Sequence, residues 1–181
     1  MGLDMYLEKR TYVKTWNHTP ANRRWEIEVK YAGKPVEFNH PVTYLTFEAA
    51  YWRKANAIHK WFVDNCQDGR DECQQTLVPE EKLADLLALC KEVLAKAQIG
   101  QREEIVTVLG PEPGFKREPR QLEYVKNAEE IAALLPTEGG FFFGSTDYDS
   151  NYLDDIRLTI KQLTNALADE TDGEFYYQAT W

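Results

Sequence analysis

The stretch YWRKANAIHKWF, Tyr51 to Phe62, gathers two tryptophans, a Tyr, a Phe, an Arg, two Lys, an Asn and a His into twelve residues. An arginine presents a planar fork of donors to phosphate or carboxylate, and aromatic rings offer stacking faces. Tyr51, Arg53, Lys54, Asn56 and His59 are therefore candidate ligand-binding residues. A plainer reading fits the same letters. On a helix, Ala55, Ile58 and Phe62 share one face with Trp52 and His59, while Arg53, Lys54, Lys60 and Trp61 lie on the flanks, so the segment also reads as a packed helix with a solvated cationic side.

A second candidate is FFFGSTDYDSNY, residues 141–152. Gly144, Ser145 and Thr146 precede a helix start, where free N–H groups attract anions. Asp147 and Asp149 compete for that positive end as natural caps and would repel phosphate. The run DYDSN resembles the opening of a calcium loop, but the sixth position is Tyr152 instead of Gly and the twelfth is Leu158 instead of Glu. Asp147 and Asp149 remain a weak Mg²⁺ pair, and no metal site is expected.

The chain has no phosphate-binding glycine loop, no dinucleotide fingerprint, no nucleophile elbow and no zinc-protease motif, so no cofactor is expected. The three cysteines and three histidines lack ligand spacing. Cys66, Cys73 and Cys90 read as free thiols of a reducing, cytoplasmic setting. The opening MGLDMYLEKR resembles no leader peptide, and no window is apolar enough to span a membrane. With 21 Lys+Arg against 30 Asp+Glu, the formal charge is −9, which disfavours general binding to nucleic acid or to anionic membrane.

The elements that must position these groups follow from periodicity. LDMYLEK and RWEIEVKY alternate at period two and read as strands, as do VTYLTF and the terminal EFYYQATW. A helix is predicted from about Trp52 to Cys66. PEEKLADLLALCKEVLAKAQ carries one continuous apolar stripe through Leu83, Leu86, Cys90 and Val93, with Pro79, Glu80 and Glu81 suited to its first turn. Residues 99–126, rich in proline and charge, read as a mobile surface loop. NAEEIAALLP is a short helix with Asn127 and Glu130 forming a capping box, FFF is a buried strand, and a last helix spans about Asn151–Ala168. Strands at both ends with helices between predict a single α+β domain: a mainly antiparallel sheet including both termini, with three to four helices packed on it. Both terminal strands are placed near the middle of that sheet.

MGLDMYL, YWRKANAIHKWFVDNCQDGRDEC, LLPTEGGFFFGSTDYDSNY and FYYQATW together resemble a group of small uncharacterised phage and prophage proteins. The resemblance spans most of the chain except 99–126 and parts of 14–48. It brings no activity and no catalytic residue with it. It implies an accessory protein acting in the host cytoplasm. Together with the acidic body and the absence of catalytic motifs, that setting points to a non-enzymatic binder that interferes with a host system by holding a host protein complex or a small anionic, nucleotide-like ligand. A small metal-assisted hydrolase or nucleotide-processing enzyme using Asp147 and Asp149, or a viral assembly module, are the alternatives.

Overall fold

A computed structural model describes residues 2–109 and 114–181. Its main sheet is built from β1 (Asp4–Tyr12), β4 (Tyr44–Arg53), β5 (Thr76–Val78) and β8 (Glu174–Thr180), in the order β4-β1-β8-β5 and antiparallel throughout. The two terminal strands are therefore the central pair, where they were expected. Leu3 just before the first strand, Met5 and Leu7 within it, and Phe175, Tyr177 and Ala179 of the last are all buried on one face. Four helices, α1 (Asn56–Cys66), α2 (Glu80–Lys96), α3 (Ala128–Leu134) and α4 (Ser150–Ala168), complete the α+β domain. The stripes of α1, α2 and α4 join the sheet residues in one core. The other sheet face carries Tyr6, Glu8, Arg10 and Tyr176 toward water, the usual division for an antiparallel sheet.

β1 and β4 slip by one residue between Leu7 and Glu8, a bulge that leaves Ala49 unpaired. Beyond it β4 continues through Trp52, which lies opposite Met5 and is fully buried. The helix expected from Trp52 thus starts only at Asn56: the sheet claims the residues before it. The reversal is made at Lys54, whose φ is +61°.

Four further expectations are corrected. RWEIEVKY forms no long strand; only β2 (Lys30–Tyr31) pairs with β3 (Lys34–Pro35), and Trp25, Val29 and Tyr31 stay exposed. Alternation there has no core to face. FFF is a tight turn, with Phe143 N–H donating to the Gly140 carbonyl at 3.1 Å, Phe143 buried and Phe141 95% exposed.

The segment read as a mobile loop, 99–126, is a hairpin of β6 (Ile99–Leu109) and β7 (Phe115–Val125), paired from Ile99–Val125 to Leu109–Phe115; residues 110–113 of that reading lie outside the described residues. Pro119 is tolerated because both strands are edges. Ion pairs run along each strand, between Arg102 and Glu104, and from Glu118 to Lys116 and Arg120.

Asn127 does not build the expected capping box. Its side chain donates to the Lys96 carbonyl at 3.1 Å and to Glu130 at 2.7 Å, and accepts from Gln98 N–H at 2.8 Å. It ties the end of α2 to the start of α3.

Candidate functional site

The end of β4 and the first turn of α1 face the returning loop 137–149 and the first turns of α4. Between them lies a cleft of about 390 Å³, lined by Arg53, Lys54, Asn56, Ser145, Asp147 and Asp155 among others. Its shape follows from local backbone choices. Lys54 N–H donates to the Leu3 carbonyl at 2.8 Å and Asn56 N–H to the Lys54 carbonyl at 2.9 Å, which fixes the left-handed turn. Gly144, itself at φ +87°, packs against Lys54, and a side chain there would begin 3.3 Å from Lys54 Cβ. Non-glycine residues held at positive φ are strained and concentrate at functional positions.

Asn56 acts as a staple. Its Nδ2 donates to the carbonyls of Phe143 at 3.0 Å and Ser145 at 2.7 Å, and its Oδ1 accepts from Glu138 N–H at 3.2 Å. The side chain is buried and its hydrogen-bonding groups are engaged, so it shapes the cleft and leaves the gripping to others. Ser145 Oγ accepts from Asp147 N–H at 3.0 Å. Arg53 is well exposed, with Asp4 3.9 Å away. Lys54 has no ion pair among the described residues, whereas Lys60 is held by Asp64 at 3.0 Å and Glu138 at 3.4 Å.

The facing wall is acidic. Asp149 caps α4, accepting from the N–H groups of Asn151 at 2.9 Å and Tyr152 at 3.2 Å. Of the two expected caps only Asp149 serves. Its carboxylate is thereby committed, and no group of three His, Cys, Asp or Glu stands in metal-holding geometry among the described residues. Asp155 sits half-buried on α4. Burial, then the charges of Asp154 and Asp149, push its carboxyl up to about 7. The cleft is thus dipolar: two cations at one rim, carboxylates opposite, one of them changing charge near neutrality.

The remaining expected residues fall elsewhere. Tyr51 lies on the solvated sheet face, its hydroxyl bonded to Asp4 and its ring tilted against Tyr6 at 5.2 Å. Thr146 borders a separate depression with Arg102 and Tyr124. His59 is buried on the far side of α1. Its Nδ1 is 2.8 Å from the Tyr177 hydroxyl and its Nε2 3.0 Å from Asp71. Tyr177 is fully buried, and desolvation raises its phenol well above the ordinary value, so it remains a donor. Its hydroxyl can donate to His59 Nδ1 when the Nε2–H of the ring faces Asp71. The chain of three ties β8, α1 and the 66–75 turn together. It borders a second cleft, about 530 Å³, walled by Phe141, Phe142, Phe143 and Trp181. Arg53 and Asp147 therefore share a concavity, and His59 does not belong to it.

The thiols are poor nucleophiles where they are enclosed: desolvation pushes Cys66 up to about 11 and Cys90 up to about 12. Asp155 was not singled out from the sequence. It lies three residues from Tyr152 and four from Thr159, both buried, and an acid bordering an apolar stripe is the signal that marks it.

No family model matches the chain, and no curated protein or solved structure matches it.

Proposed function

We propose that this chain is a non-enzymatic binding protein that grips a small anionic ligand in the cleft at the end of β4. The observation that carries the reading is the convergence of Arg53 and Lys54 with Ser145, Asp147 and Asp155 on one concavity. Such convergence of polar groups in a cleft is the ordinary mark of a ligand site. Arg53 and Lys54 take the phosphate or carboxylate, and the opposing carboxylates accept hydrogen bonds from hydroxyls or amines on the same molecule. A sugar phosphate, alone or as part of a nucleotide, has both. The resemblance to phage and prophage proteins supports a role in a bacterial host, where sequestering such a ligand would interfere with a host system.

Ribose 5-phosphate is the direct probe. At about 5 mM it is expected to raise the melting temperature, since a ligand of the native state stabilises it, and Arg53→Ala is expected to weaken binding about tenfold or more. Absence of any shift overturns the reading, as does an equal shift in Arg53→Ala.

A further inference from the structure

The segment after β1 builds a second cationic feature that the sequence did not announce. Lys14, Arg23 and Arg24 line an open groove of about 820 Å³ together with Tyr12, Trp16 and Trp25. None of the three cations is ion-paired among the described residues, and Asp172 is the one acid in the lining. The loop is held in shape: Trp16 N–H donates to Thr19 Oγ1 at 3.0 Å, Thr19 N–H to the Trp16 carbonyl at 2.9 Å, and Arg24 Nε to the Thr19 carbonyl at 2.9 Å. Trp16 Nε1 donates to the Tyr12 hydroxyl at 2.9 Å, and Lys14 Nζ stands 4.0 Å over the Trp16 ring. Trp16 and Trp25 nevertheless keep 48% and 44% of their surface open.

Thr11 also lines the groove, with its Oγ1 enclosed against Gly173 and turned to the protein, so the recognition rests on the cations and the rings. A bare anion would use the cations and leave the rings idle; an apolar aromatic would do the reverse. A base joined to a phosphate uses both, stacking on indole while the guanidinium groups hold the phosphate. On a body of charge −9, a long polyanion is repelled, which favours a single nucleotide over a strand.

We propose that the groove formed by Lys14, Trp16, Arg23, Arg24 and Trp25 is a mononucleotide-binding site, separate from the cleft at Arg53 and independent of the function proposed for it.

The test is calorimetric titration of AMP into the Arg53→Ala protein, so that the other cleft does not contribute. AMP is expected to bind saturably, with adenosine and ribose 5-phosphate each weaker by about tenfold or more, and Arg23→Ala and Trp25→Ala each weakening AMP to a similar degree. The proposal is overturned if AMP gives no saturable heat, if ribose 5-phosphate binds as well as AMP, if Arg23→Ala or Trp25→Ala leaves affinity unchanged, or if octathymidylate binds about tenfold more tightly than AMP with a steep salt dependence.

Discussion

Asp155 is the residue whose surroundings conflict most with its charge. Its carboxyl is displaced upward from 3.8 to about 7 by burial and by Asp154 and Asp149. The sign of the consequence is fixed. Between about pH 4 and 7 the folded chain holds a proton that the unfolded chain has released, so this group's contribution to stability falls as pH rises through that window and is flat above it. Asp155→Asn removes the effect. Its stability relative to the parent is expected to improve progressively from pH 4 to 7, by on the order of 2 kcal/mol at the top, read from urea melts at several pH values. The neighbouring Lys54 shows what letters conceal. Arg53 and Lys54 are identifiable as candidate cations from their clustering, but the positive φ that aims them is a product of the sheet ending and the helix starting within three residues. Asn56 and His59 look like a polar edge by spacing, yet both are buried, satisfied by Phe143, Ser145 and Glu138 or by Tyr177 and Asp71. Several of those partners are more than 80 residues away, beyond what a local pattern encodes.

Among elements, the 138–145 turn depends on a single side chain. Asn56→Ala leaves the Phe143 and Ser145 carbonyls and the Glu138 amide without their partner, and is expected to lower stability by about 2–4 kcal/mol in denaturant melts. It should also loosen the cleft wall that carries Ser145. Amphipathic elements were the legible ones: α2, α4, β1 and β8 declare themselves because each has a stripe or alternating set that meets the core. Elements without a buried face were not. RWEIEVKY alternates as well as any strand but remains on the outside, and β6–β7 is spelled with proline and charge because, beyond a base where Val125 enters the core and Glu123 meets Arg157, its two strands have only each other. Two-stranded ribbons are marginal on their own. Amides of 101–108, 116–118 and 120–123 are accordingly expected to exchange with deuterium faster than those of β1 and β8, by native-state hydrogen exchange followed residue by residue.

For the whole molecule, the −9 charge is unevenly spent: cations collect at the Arg53–Lys54 rim and at the Lys14–Arg24 groove, while acids cover much else. No described helix is long and apolar enough to cross a membrane. The general architecture was legible because chain ends rich in alternating apolar residues have few places to go other than a sheet. The order β4-β1-β8-β5 then has a bearing on how the protein comes into being. Strand eight is the slat between one and five, so on the ribosome the sheet cannot close until residues 174–180 have left the exit tunnel. Release of a chain stopped at Asp172 is expected to yield a species without a cooperative melt, readily cut by protease, whereas residues 173–181 convert it to the folded state in one step.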